Sequence, residues 1–150
     1  MDQKFKNKLK KLGKNKPQLL DEAVASIHED VFSRTNCLEC ANCCKTTSPI
    51  FINKDIERIA GHLKMKPGDF ILKYLKTDEE GDYVLTQAPC PFLSNDNTCI
   101  IYDLRPRACK EYPHTNRKNF YQIIDLTLKN QKICPAVDQI LKELSARWMV

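Results

Sequence analysis

Eight cysteines occur in a chain of 150 residues, and four of them are crowded together as Cys37, Cys40, Cys43 and Cys44. Two cysteines separated by two residues can turn both sulfurs toward one cation, and thiolates suit soft or borderline metals. That spacing occurs twice in succession, from Cys37 to Cys40 and from Cys40 to Cys43. The remaining cysteines, Cys90, Cys99, Cys109 and Cys134, are dispersed, and two of them precede proline in Cys90-Pro91 and Cys134-Pro135. A CxxCxxC run completed by a remote cysteine before proline is the arrangement of bacterial ferredoxin-type clusters. Zinc ribbons instead pair two separate CxxC knuckles, and no second knuckle follows in this chain. The residue types therefore point to zinc or an iron–sulfur cluster, and the spacing leans toward a 4Fe-4S centre.

Eight thiolates could fill two four-coordinate sites, or one site with a second, partly ligating group. Adjacent Cys43 and Cys44 cannot both aim at one small cation without bending the backbone, so they are expected to serve different centres or different metals of one cluster. Four thiolates around Zn²⁺ leave a formal charge of −2, which Lys45, Arg105, Arg107 and Lys110 could offset. His114 and His62 read as residues outside the ligand set, because cysteines suffice. An even count also fits disulfides, but the N-terminus lacks the apolar core of a secretory leader and disulfides are rare in reducing compartments. The expectation is a cytoplasmic protein, and no run approaches the roughly 18 apolar residues of a membrane helix.

Helical periodicity surrounds this chemistry. From Pro17 to Arg34 the residues Leu20, Val24, Ile27 and Val31 form one apolar stripe, with Pro17 suited to the first turn. Residues 37–44 show neither helical nor strand patterning and read as a loop. Ile50-Phe51-Ile52 reads as a short strand, and Asn53 as the cap of a helix with Ile56, Ile59, Ala60 and Leu63 inward. Pro67 opens another helix through Phe70, Ile71, Tyr74 and Leu75, and the acidic run Thr77–Asp82 turns into Tyr83-Val84-Leu85. Between Pro89 and Pro113 regular structure should be sparse, with a turn at residues 94–97. Phe120, Ile123, Ile124, Thr127 and Leu128 recur at helical spacing, and Pro135 starts a terminal helix with Val137, Ile140, Leu141, Leu144 and Trp148 inward. The expected fold is mainly α with short β pieces, a small helical bundle plus an irregular, metal-stapled cysteine-rich lobe. Such loops bury too little apolar surface to offset their ordering entropy without a metal.

The net charge of +5 is uneven. Residues 1–16 hold seven lysines against Asp2, and the other 134 residues hold seventeen cations and eighteen anions. The expected organisation is a basic N-terminal tail, residues 1–16, followed by one cysteine-cluster domain over residues 17–150. The tail has no aromatic or arginine-rich reading surface, which argues against nucleic acid as a partner. Phe5, Leu9 and Leu12 nevertheless recur at helical spacing, which would let it dock as an amphipathic helix on the body or on a protein partner.

Taken in order, Cys37-x-x-Cys40-x-x-Cys43-Cys44, Pro89-Cys90-Pro91-Phe92-Leu93, Cys99-x-Ile101-Tyr102-x-x-Arg105-Pro106-x-x-Cys109-x-x-Tyr112-Pro113 and Cys134-Pro135 span residues 37–135. In these motifs the chain resembles the YkgJ-like cysteine-cluster family, known by its CxxCxxCC signature and described as a zinc- or iron-chelating domain. The resemblance implies that all eight cysteines are metal ligands. It also implies that Tyr102 and Arg105 lie around the ligand sulfurs, with Arg105 donating to one of them. A flagellin lysine N-methylase group has a similar cysteine cluster, but no glycine-rich nucleotide loop follows a strand in this sequence, so methylase activity does not transfer.

The function these features support is metal binding with a structural or partner-binding role. The alternative is an iron–sulfur-dependent redox, radical or group-transfer enzyme. No histidine–glutamate pair poised to activate a metal-bound water, and no nucleophile with a recognisable base, speaks for that alternative.

Overall fold

The computed structural model describes residues 2–148. In chain order it contains α1 (Gln3–Asn15), α2 (Pro17–Ser33), α3 (Cys37–Cys40), α4 (Asn42–Thr46), α5 (Asn53–His62), α6 (Pro67–Tyr74), β1 (Leu75–Thr77), β2 (Tyr83–Leu85), α7 (Arg107–Glu111), α8 (Ile124–Asn130) and α9 (Pro135–Trp148). Short 3-10 turns occupy Tyr102–Leu104 and Phe120–Ile123. The protein is mainly α with short β pieces. It divides into two compact units, a helical unit formed by residues up to Asn36 together with those from Pro113 onward, and a cysteine unit from Cys37 to Tyr112.

In the helical unit the stripe of α2, Leu20, Val24, Ile27 and Val31, is buried as its period requires. It meets Ile140 and Leu144 of α9, Phe5 and Leu9 of α1, and Phe120 and Ile124. The lysine-rich segment thus forms α1, capped by the Asp2 carboxylate, which accepts the Lys4 N–H at 3.1 Å. Its outward lysines include Lys6 and Lys10, which reach Asp125 at 2.5 and 2.8 Å. Gly13 lets α1 approach the second 3-10 turn closely, because a Cβ at this position would lie 2.1 Å from Tyr121 Cβ. That turn starts at left-handed Asn119, whose N–H and that of Phe120 donate to the Asp21 carboxylate at 2.7 and 2.9 Å.

In the cysteine unit α5 and α6 pack Ile56, Ile59, Ala60 and Phe70 against Phe51, Leu75, Leu85, Phe92 and Ile101. β1 and β2 form an antiparallel hairpin with Leu75 opposite Leu85 and Thr77 opposite Tyr83. Three local expectations are corrected by this unit. Residues 37–44, read as a loop, hold the helical turns α3 and α4, each too short to express a period. The strand expected at residues 50–52 is a single bridge from Phe51 to Tyr83, since β2 is only three residues long. Asn53 lies inside α5 rather than capping it: Ile52 holds the cap position, and the Asp55 carboxylate accepts its N–H at 3.2 Å.

Candidate metal centre

Cys37 and Cys40 sit at the two ends of α3, and Cys43 and Cys44 lie in α4. Between the two turns Ala41 adopts a left-handed φ of 47°, which redirects the chain so that α4 does not continue α3. The Cys44 carbonyl accepts the Cys90 N–H at 2.8 Å, tying the Pro-Cys-Pro segment to the vicinal pair. Phe92 anchors that segment from the other side: its ring stacks on Phe70 at 6.1 Å and meets Tyr74 at 5.0 Å. Its carbonyl accepts the Ile100 N–H at 2.9 Å, and Leu93 bridges Cys99 across the intervening turn. The Asp96 carboxylate closes that turn by accepting from Ser94 and Thr98, which holds it down to a pKa of about 2. Cys90 and Cys99 are thereby fixed on adjacent strands of one loop.

Cys109 is placed by a different device. Asp55, 1% exposed, receives the Arg58 guanidinium at 2.8 Å and the Arg107 N–H at 3.3 Å. Arg58 in turn donates to the carbonyls of Leu104 at 3.2 Å and Arg105 at 2.8 Å. One buried carboxylate and one guanidinium therefore pin the segment that enters α7, where Cys109 donates its N–H to the Pro106 carbonyl at 2.9 Å. Neither Asp55 nor Arg58 stands out among the sequence motifs. An acid three residues into a helix that lacks a polar cap is the signal that could have found them.

Electrostatics tie five sulfurs together. Cys43 donates to Cys44, which raises the Cys43 thiol and lowers that of Cys44. Cys90, Cys109 and Cys99 each push Cys44 the other way. Burial raises Cys90, against which the backbone N–H groups of Phe92 and Leu93 act by favouring its thiolate. Cys109 is pushed up to about 12, first by burial, then by Cys90, Cys43 and Cys99, while Arg105 pulls it down. Cys43, Cys44, Cys90 and Cys109, half-buried on three stretches of chain, thus lie within electrostatic reach of one another, and Cys99 acts on the last three. This donor set suits zinc or iron, whose preferred ligands are thiolates. Among the described residues no three His, Cys, Asp or Glu side chains already stand in a formed coordination sphere.

The remaining predicted ligands are distributed differently. Cys37 is exposed and Cys40 half-buried on α3. Cys134 belongs to the helical unit, where its N–H donates to the Asn130 carbonyl at 2.8 Å and its side chain packs against that unit's core. Arg105 lies 3.8 Å above the Tyr102 ring and donates to the Tyr102 carbonyl at 2.9 Å, so these two residues act as a pair. Of the other cations considered, Arg107 pairs with Glu111 at 2.8 Å, and Lys45 and Lys110 are exposed. His114 takes a left-handed φ of 66° in the helical unit, and His62 ends α5.

The model of the CxxCxxCC family, described as "Putative zinc- or iron-chelating domain", matches residues 36–135. An uncharacterized protein of Methanocaldococcus jannaschii, MJ0661, is 29% identical over 83 residues, covering 53% of this chain and 44% of that protein. The chain thus aligns with less than half the length of this curated relative. No solved structure matches. No helix among the described residues is long and apolar enough to cross a membrane.

Proposed function

The chain belongs to the CxxCxxCC family, and from that premise we propose that it is a metal-binding protein whose cysteines chelate zinc or iron and whose metal holds the cysteine unit in one conformation, in a structural or partner-binding role. The observation that carries this reading, within the family match, is that the fold ties together the segments bearing Cys43, Cys44, Cys90 and Cys99: the Cys90 N–H donates to the Cys44 carbonyl at 2.8 Å, and Leu93 bridges Cys99. Stretches far apart in sequence deliver these thiols, and bringing them together as thiolates would be repulsive without a cation between them. Cys37, Cys40 and Cys134 complete the proposed set of eight. Arg105, stacked on Tyr102, supplies positive charge beside Cys109.

Five sulfurs exceed the four cysteines that one tetrahedral zinc or one 4Fe-4S cluster takes, so the count alone does not choose between them. Cys43 acts on Cys90 and Cys109, and Cys90 and Cys109 act on Cys44, which favours the vicinal pair binding different metals of one centre over two distant centres. The two N–H groups directed at the Cys90 sulfur are also the kind of contact that tunes an iron–sulfur centre. From these N–H groups and the Cys37-x-x-Cys40-x-x-Cys43 spacing, a 4Fe-4S centre is the finer proposal, and a redox or radical enzyme its functional corollary.

Metal and acid-labile sulfide analysis with a visible spectrum, on protein purified without oxygen, tests both levels. Iron with sulfide and charge-transfer bands supports the cluster. Stoichiometric zinc in colourless protein keeps the metal role and removes the cluster. Protein that contains neither metal and folds through disulfides overturns the proposal.

A further inference from the structure

A cleft of about 460 Å³ opens at the start of α5 in the cysteine unit, with Ile52, Lys54, Asp55, Arg58, Arg107 and Lys110 among its lining. We propose that this cleft binds a small oxyanion, a phosphate or carboxylate group, through Lys54, Arg107 and Lys110. Four cationic side chains converge there against one carboxylate, and that carboxylate is already spent. Asp55 accepts from the Ile52 N–H, from Arg58 and from the Arg107 N–H, all inside the protein. Arg58 is engaged as well, one terminal nitrogen reaching Asp55 and the carbonyls of Leu104 and Arg105, while its buried Nε has no hydrogen-bond partner among the described residues.

The cations facing the cleft keep their capacity. Arg107 uses Nε on Glu111 and leaves its two terminal nitrogens available. Lys54 and Lys110, one from each wall, make no side-chain hydrogen bond or ion pair among the described residues. Like charges held across a cleft repel, and an oxyanion between them converts that repulsion into charge-assisted hydrogen bonds. Asn53 and Lys54, which line the cleft, begin α5, and the first backbone N–H groups of a helix lack acceptors within it. The second cleft of the unit is lined by Lys76, Thr77, Asp78, Glu79 and Glu80 and has the opposite sign. This inference does not depend on which metal the cysteines hold.

The test is titration of the full chain, with the metal it carries, by inorganic phosphate and separately by acetate, against chloride at matched ionic strength. Amide chemical shifts locate the site and calorimetry gives the affinity. The expected result is saturable shifts at Asn53, Lys54, Arg107 and Lys110. Affinity should fall by at least about ten-fold in the Lys54→Glu/Lys110→Glu double variant and hold in Lys73→Glu. The single Lys54→Gln change, at an exposed side chain, should weaken binding in the same direction by about three-fold. A stronger response to phosphate than to acetate assigns the cleft to phosphate groups, and the reverse assigns it to carboxylates. Absence of saturation, affinity indifferent to these substitutions, or shifts centred on the lysines of α1 or on the cysteines would overturn the proposal. Binding that disappears on metal removal while the cleft amides keep their positions would place the anion at the metal, and would overturn it as well.

Discussion

The helical unit and the cysteine unit are of similar size, yet they solve the problem of holding a chain in place in different ways. The helical unit uses helices of up to 17 residues whose apolar stripes meet in one core of eleven buried residues. The cysteine unit has nine residues in its core, and they lie under α5, α6 and the hairpin. Outside these elements, residues 37–50 and 86–112 form only helical turns of five residues or fewer and irregular chain, with Phe92 and Ile101 as their share of the core. Seven of the eight cysteines lie in this unit. Charge divides too: the helical unit carries fourteen cations and eight anions, the cysteine unit ten and eleven. Where periodic burial is scarce, the chain places its cysteines instead.

Metal removal is the strongest way to break that contrast, because binding free energies of structural zinc reach about 10 kcal/mol or more and are folding free energy. Chelation should strip hydrogen-exchange protection from residues 86–112 while Leu20–Val31 and Ile140–Leu144 keep theirs. Equal loss in both units would mean that the helical unit also depends on the metal.

Two aromatic truncations sharpen it. Phe92 is 3% exposed and Phe120 fully buried, so Phe92→Ala and Phe120→Ala should each cost about 3–5 kcal/mol in urea unfolding. Only Phe92→Ala should also lower the metal content of purified protein, since Phe92 anchors the Cys90 segment. Equal metal retention in the two variants would remove Phe92 from the centre's support.

Smaller in effect are changes at two close contacts. Gly13→Ala forces a Cβ against Tyr121 and should destabilise the helical unit by about 1–3 kcal/mol, with metal content unchanged. Asp55→Asn keeps the shape but removes the charge that Arg58 faces, and should cost about 2 kcal/mol through weakened charge-assisted bonds. Its diagnostic readout is metal affinity, because Asp55 positions the segment before Cys109.

How much was legible follows the same division. The stripes of α2 and α9 could be read because burial on one face imposes a period, and 17 and 14 residues are enough to express it. The stripe of α1 was legible in Phe5 and Leu9, while Gly13 was not, since nothing in the local sequence names Tyr121 as its neighbour. In the cysteine unit the residue types announced metal chemistry, but spacing grouped Cys37, Cys40 and Cys43, whereas the electrostatic group joins Cys43 and Cys44 to Cys90, Cys99 and Cys109. The break at Ala41 has no residue-type signal, because alanine rarely adopts positive φ. Asp55 meets the Arg107 N–H 52 residues away, and no local pattern encodes that distance.

The mildest test concerns acid sensitivity at the ion pairs that α1 makes with Asp125 in the helical unit. Lys10 and Lys6 hold the Asp125 carboxylate down to about 2, below its ordinary value near 4. A folded-state pKa depressed in this way contributes stability above the unfolded value and loses it as pH falls from about 4 toward 2. The pair is solvent-exposed, so salt should weaken the effect. Asp125→Asn should therefore flatten the acid limb of helical-unit stability between about pH 4 and 2 at low salt and change little at pH 7 in high salt. Protection of the α1 amides is the measurement. An unchanged acid limb in the variant would show that the Asp125 pairs add nothing to the hold that Phe5 and Leu9 give α1.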